Sequence, residues 1–155
     1  MAVLLGCDKP KPAFTDEQMR EFRVKAPWLT EECFEQLRWK GIETTKGDCT
    51  KRLPPMKWRG LWRDDFEGSL FCPAPARECA NPGRPPRIHL EFEPRPAAMR
   101  HKAPGGLYAM EFIGRQSAGG TPLDAYGYQK DIVVDRMISM KQIKAPPPQP
   151  TKAQI

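Results

Sequence analysis

Within the twelve residues Trp58-Arg59-Gly60-Leu61-Trp62-Arg63-Asp64-Asp65-Phe66-Glu67-Gly68-Ser69 the chain gathers three acids, two arginines and two tryptophans. Carboxylates this close can share a proton, hold a cation, or divide the acid and base roles of glycoside hydrolysis. Calcium fits poorly, because the D-x-D-x-D-G spacing is missing and Asp64-Asp65-Phe66-Glu67 offers too few ligands. A charged turn between two hydrophobic strands, with Arg59 and Arg63 pairing the acids, explains the same residues without chemistry. That is the reading preferred for Asp64, Asp65 and Glu67. Trp58 and Trp62 read as core rather than as a stacking platform, and Gly60 between them marks a bulge or a close backbone approach. Nucleophilic catalysis finds little material. Ser69 stands outside any G-x-S-x-G, and His89 and His101 are the two histidines available as bases. Gly105-Gly106 and Gly119-Gly120 open no helix, as a phosphate loop requires. No catalytic residue is assigned.

Cysteine carries the next signal. Cys33, Cys49, Cys72 and Cys79 contain no C-x-x-C pair, and neither histidine has zinc-finger spacing, so no metal and no cofactor are expected. An even set of four in an exported chain points to two disulfides. Three pairings are open. Loop closure favours the local one, Cys33–Cys49 with Cys72–Cys79, each bridge contributing about 2–4 kcal/mol.

An exported chain is what the N-terminus suggests. Val3-Leu4-Leu5-Gly6-Cys7 resembles a bacterial lipobox, the apolar run ending in a small residue and a cysteine that becomes lipid-modified. The resemblance implies a lipid anchor on Cys7 and a periplasmic address at the inner or outer membrane. An export signal needs a basic start and roughly 7–15 apolar residues. Only Met1 to Leu5 precede Gly6, so the signal peptide is expected to begin upstream of Met1. Asp8-Lys9-Pro10-Lys11-Pro12 follows as a polar tether, and Asp8 resembles the inner-membrane retention residue of enteric lipoproteins.

Composition bounds the rest. A chain of 155 residues is one domain by length, with a modest core at 39% hydrophobic residues and 18 prolines. No run approaches the 18 apolar residues of a membrane span. The net charge of +6 is uneven: residues 8–50 carry 8 basic and 9 acidic side chains, and residues 51–155 carry 17 and 10. The basic residues are scattered singly, whereas a nucleic-acid binder usually clusters them. A basic surface suited to an anionic envelope fits better.

The elements that must position these residues are legible in outline. Thr15-Asp16-Glu17-Gln18 is a capping box, with Phe14 and Met19 flanking it, and the helix runs to about Lys25 before Pro27. Thr30 caps a second helix through Cys33, Phe34 and Leu37 that Gly41 ends. From Met56 the period becomes two. Strands are expected through Trp58 to Trp62, Ser69 to Cys72, Ile88 to Phe92, Tyr108 to Ile113, and Ile132 to about Ile143, with turn residues between and no intervening helix. The fold class is therefore α+β: a helical hairpin, then a curved five-stranded antiparallel sheet or small barrel of oligonucleotide-binding (OB) type. The organisation reads as tether 1–13, hairpin 14–41, a β domain 42–144 packed with the hairpin, and a disordered Pro-rich tail 145–155.

Two resemblances accompany these elements. Gly60-Leu61-Trp62 resembles the G-x-W start of a lipocalin-type calycin, although the chain is too short for that eight-stranded barrel. The strings Trp58 to Pro73, Tyr108-Ala109-Met110-Glu111-Phe112-Ile113-Gly114-Arg115 and Ile132-Val133-Val134-Asp135-Arg136 resemble small bacterial lipoproteins of proteobacterial type. That likeness covers about half the chain and implies no functional residues. The leading expectation is a non-catalytic binding or structural module of the cell envelope. Its partner is a membrane through Cys7, with an envelope protein or anionic glycan at the face bearing Arg59, Arg63, Arg115 and Arg136; nucleic acid is not expected. Two alternatives remain: an envelope hydrolase using Asp64, Asp65 and Glu67, and a cytosolic single-stranded nucleic-acid-binding barrel stacking bases on Trp58, Trp62 and Phe92.

Overall fold

The computed structural model describes residues 11–41, 48–65, 68–79, 87–92 and 105–145, with the backbone alone at Asp65 and Gly68. Cys7, Glu67, His101, most of the tether and the tail beyond Ala145 lie outside the described residues. The chain divides into two compact units, Met1–Lys51 and Arg52–Ile155.

The first unit is built on two helices, α1 Asp16–Lys25 and α2 Glu31–Lys40. The capping box forms: the Gln18 amide donates to Thr15 Oγ1 at 3.3 Å, and the Thr15 amide to Gln18 Oε1 at 2.8 Å. Thr30 caps α2 in the same way through the Cys33 amide at 3.3 Å, and Gly41 ends it at a φ of 79°. Met19, Leu29, Cys33, Phe34 and Leu37 bury their side chains together, with Phe14, Phe22 and Trp28 packed against them. The Cys33–Cys49 disulfide fastens residues 48–51 to this core, where the Thr30 amide donates to the Cys49 carbonyl and the Lys51 amide to that of Trp28. Arg23 pairs both oxygens of Glu31 at 2.7 Å and lies over the Phe34 ring at 4.5 Å. Glu31 is accordingly held below its ordinary carboxylate range, first by that hydrogen bond. The unit reaches to Lys51, so residues 48–51 belong with the helices.

The second unit is a closed barrel of five strands: β1 Met56–Asp65, β2 Gly68–Pro73, β3 Ile88–Phe92, β4 Gly106–Gln116 and β5 Lys130–Lys144. Around the barrel they run β1-β2-β3-β5-β4, and β4 pairs with β1 to close it. The order β4-β1-β2-β3 is a Greek key, with β5 filling the gap. The all-antiparallel expectation is corrected: β3 and β5 pair in parallel, Ile88 opposite Lys130 through Phe92 opposite Val134. The reason is topological. Directions around a closed ring must return to their start, so an odd number of strands cannot alternate throughout. A one-turn 3-10 helix, Asp124–Tyr126, also interrupts the connection from β4 to β5, where no helix was expected.

Alternation fills the interior. Trp62, Phe71, Ile88, Leu90, Tyr108, Met110, Phe112, Ile132 and Val134 form the buried core, and Trp58, Phe92, Met137 and Met140 pack against it. Each aromatic side chain buried this way contributes about 1.5–3 kcal/mol. Trp62 keeps its polar handle satisfied by donating to Ser69 Oγ at 2.6 Å, and Ser69 in turn donates to the Leu90 carbonyl at 2.8 Å. Strand β5 is longer than its partner β4 and stays paired by register shifts. Gly114 faces Val134 while Ile113 faces Arg136, and Phe112 faces Met137 while Glu111 faces Ser139. Asp135 and Ile138 are therefore extra residues, and each bulge exchanges inner and outer faces beyond it. Met137 is thereby turned onto the core, and Ile138 is left 42% exposed.

Candidate functional site

The outer wall of β1, β4 and β5 carries two aligned rows of side chains. Arg59 stands opposite Glu111, which stands opposite Ser139; Leu61 stands opposite Ala109, which stands opposite Lys141. The small Ala109 at the middle leaves a hollow between larger neighbours. The turn Ala74-Pro75-Ala76, which includes the cis Ala74–Pro75 bond, forms its side wall and is held to β1 by the Ala74 amide donating to the Arg59 carbonyl at 2.8 Å. Together they enclose an open groove of about 530 Å³, within the range of small-ligand sites. Its floor is apolar at Leu61 and Ala109, and its rim is polar at Arg59, Glu111, Ser139 and Lys141.

Charge in the groove is weighted positive. Arg59 and Lys141 are exposed. Glu111 is ion-paired with Lys57, which lies next along β1. The Lys57 ammonium holds the Glu111 carboxyl below its ordinary range, chiefly through that hydrogen bond, and Arg59 adds to the effect. The backbone of β4 offers nothing to a ligand, since β1 pairs with one of its edges and β5 with the other.

The four arginines singled out in the sequence do not converge. Along β4 their positions are successive: Arg63 is opposite Leu107, Arg59 opposite Glu111, Arg136 opposite Ile113, and Arg115 lies on β4 itself opposite Val133. Arg115 is engaged by Asp135 through three contacts of 2.8–3.0 Å. Arg59 alone among them lines the groove. Lys141 and Ser139 complete it, and neither was legible as a neighbour of Arg59, because the pairing of β1 and β5 with β4 sets which residues of β5 fall beside it. In the acidic stretch, Asp64 is half-buried near the end of β1, the Asp65 side chain is not described and Glu67 lies outside the described residues. None of the three lines the groove.

A second cluster lies on the outer face of the parallel seam. His89 on β3 is the register partner of Asp131 on β5. The Asp131 carboxylate is 2% exposed and ion-paired with Arg52, whose guanidinium also approaches Glu91 at 4.0 Å. Ser117 grips the same residue from β4's end: its amide donates to the Asp131 carbonyl at 2.8 Å, and its Oγ accepts from the Asp131 amide at 3.1 Å. His89 alternates with Ile88 and Leu90 onto the outward face of β3, where a histidine is ordinarily solvated. Instead its ring lies edge-on to the buried Tyr128 at 5.2 Å, and its Nδ1 is buried without a hydrogen-bond partner. Burial pushes the His89 pKa below the ordinary imidazole value, and the Asp131 charge opposes the shift. Arg87 covers Tyr128 from outside at 4.6 Å. These contacts read as a structural clamp. Among the described residues, no three His, Cys, Asp or Glu side chains converge to hold a metal.

Both disulfides take the local pairing, Cys33–Cys49 and Cys72–Cys79. The second pins the turn after β2 against the outer wall, where Leu61, Leu70, Cys79 and Tyr128 are buried together. Outward-facing positions of β1 and β2 are thus partly covered, which simple alternation does not anticipate. Two bridges are compatible with an extracytoplasmic location. No described helix is long and apolar enough to cross a membrane.

Fold and groove define a class: a disulfide-bonded α+β protein whose second unit is a small Greek-key barrel with a cationic outer groove. The chain matches no family model, no curated protein and no solved structure.

Proposed function

We propose that this chain is a cell-envelope lipoprotein, anchored in the periplasm by lipid on Cys7 to the inner or outer membrane, that acts as a non-catalytic binding module. The observation that carries the reading is the pair of disulfides, one in the core of the helical unit and one clamping the barrel wall. The barrel is of the OB type on this reading: five strands, closed, in Greek-key order. Its partner is an envelope protein or an anionic glycan, and the groove beside Arg59 is the surface that suits one. No observation favours the alternatives. Trp62 is 1% exposed, and Trp58 and Phe92 are half-buried against the barrel core, so the three rings do not present an open platform for stacking bases.

The test is the intact mass of the protein from its native host after alkylation of free thiols, with and without reduction. An acylated mass on Cys7, with four thiols appearing only on reduction, is the expected result. An unacylated Cys7 with all five thiols free would remove the envelope address.

A further inference from the structure

We propose that the outer groove of the barrel is a binding site for an acidic saccharide, a sugar unit bearing a carboxylate. The inference rests on the reading of this chain as an envelope binding module and names the ligand class for it. Three features of the groove select that class.

Charge is the first. Arg59 and Lys141 lie diagonally across the two rows, on β1 and β5, with Glu111 and Ala109 between them on β4. Glu111 is already neutralised by Lys57, so the pair presents net positive charge to whatever enters. An anionic group placed over Ala109 is within the span of both cations, and a carboxylate matches the planar fork of Arg59.

The second is the mixture of polar and apolar surface. Ala109 and Pro75, over the buried Leu61, offer apolar surface for the C–H face of a ring, and Ser139 and Glu111 at its rim offer a hydroxyl and a carboxylate to sugar hydroxyls. An inorganic anion would use the cations and leave this patch empty.

The third excludes the other obvious occupant, an extended acidic peptide. Peptides that lie along sheets take much of their affinity from main-chain hydrogen bonds to a free edge. The strand at the centre of this groove has none, since both edges of β4 are paired. Recognition here runs through side chains alone, as a polyol with a charged substituent allows.

The experiment is an NMR titration of the isotope-labelled full chain with digalacturonate and with a diglucuronate. Comparators are their methyl esters, inorganic phosphate and triglutamate. Either acid should give saturable shifts at the amides of Ala109, Glu111, Ser139 and Lys141. Esterification should weaken binding roughly tenfold, and phosphate and triglutamate should bind more weakly by a similar factor. Arg59→Gln and Lys141→Gln should each cost roughly tenfold without changing the melting temperature, since both side chains are exposed. Ala109→Leu, which fills the hollow, should abolish binding. The proposal is overturned by saturable shifts elsewhere, by phosphate or triglutamate binding as tightly, by indifference to both charge variants, or by no saturable shift with either acid. These results are obtained in vitro, so they stand apart from the host-derived mass that tests the envelope address.

Discussion

Gly60 lies between Trp58 and Trp62 on the inner face of β1, and the structure gives replacement of its hydrogen by a methyl group a definite cost. An ideal Cβ there would stand 2.9 Å from the Phe71 ring and 2.9 Å from Pro73 Cα, and closer still to the Cys72 carbonyl oxygen. Ordinary contact begins at 3.4 Å, so Pro73 must retreat by about half an ångström and Cys72 by more. Two of these three obstacles are backbone. β1 cannot yield in the other direction, because Gly60 is also paired with Met110 of β4. Overpacking a core costs about 1–3 kcal/mol, and opening the β1–β2 ladder adds about 1 kcal/mol for a strained hydrogen bond. Gly60→Ala should therefore lose about 3 kcal/mol. For a unit of this size that lowers the melting temperature by roughly 12–24 °C. Urea and thermal unfolding followed by circular dichroism measure it directly. Gly41→Ala serves as the contrast, since a Cβ there meets nothing within 4 Å and only the positive φ of 79° is penalised. That change should cost about 1–3 kcal/mol, all of it backbone strain and none of it overpacking, because φ 79° with ψ 177° is a region almost confined to glycine. A Gly60→Ala variant within about 0.5 kcal/mol of the parent would show that β2 does not lie as close to Gly60 of β1 as described.

Three further outcomes follow from the packing. Replacing both Cys33 and Cys49 by Ser should cost about 3 kcal/mol, and replacing Cys72 and Cys79 about 2 kcal/mol, because the longer loop gains more entropy when opened; equal losses in urea midpoints would contradict the loop argument. His89 gives a pH signature. Its folded pKa lies below the ordinary 6.5, so on acidification the unfolded chain takes the proton first. The stability this neutral imidazole confers is present above 6.5 and is lost as pH falls from there to the folded pKa, with a slope of up to about 1.4 kcal/mol per pH unit. His89→Gln should flatten that window alone. The lowered Glu31 and Glu111 act below their ordinary value of 4.5, losing their contribution only as pH drops through their folded pKa values. Asp131→Asn should cost about 3–5 kcal/mol by leaving the buried Arg52 guanidinium without its closest carboxylate, and adding Arg52→Met should restore part of it. Identical stability of the single and double variants would count against that pairing.

The parts of the fold that were legible in the sequence are those decided locally. Thr15 and Gln18 cap α1 through groups three residues apart, Gly41 ends α2 through its own φ, and the short disulfide loops close where chain entropy favours them. The five strands declare themselves by alternation. What was not legible depends on residues far apart in the chain. The parallel seam follows from closing five strands, a property of the ring and not of β3 or β5. A period of two counted from Ile132 turns Arg136 and Ile138 toward the core and Met137 away from it. The bulges at Asp135 and Ile138 reverse this, and nothing in β5 marks them. His89 reads as solvated on its own strand and is covered by Tyr128, forty residues or so further on. The groove has the same origin: Arg59 was identifiable as an outward cation, but Lys141 and Ser139 reach it only through β4.

The seam and the groove fall on opposite qualities of barrel wall. β2 meets β3 through two residue pairs and β3 meets β5 through five, so that side has the fewest ladder bonds to resist opening. There the chain spends its buried charges: Arg52 contacts Asp131 on β5 and approaches Glu91 on β3, tying the two strands together, and Ser117 ties Asp131 to the segment following β4. Buried ion pairs add little net stability but fix which partners meet. That suits the one junction the antiparallel pattern cannot specify. The groove lies across β1, β4 and β5, whose ladders run from Met56 to Asp64 and from Leu107 to Gln116. A cation pair held on such a wall is pre-positioned, and ligand binding need not order the backbone beneath it. The same closure that forces a weak seam leaves the long antiparallel ladders intact on the wall where recognition is proposed.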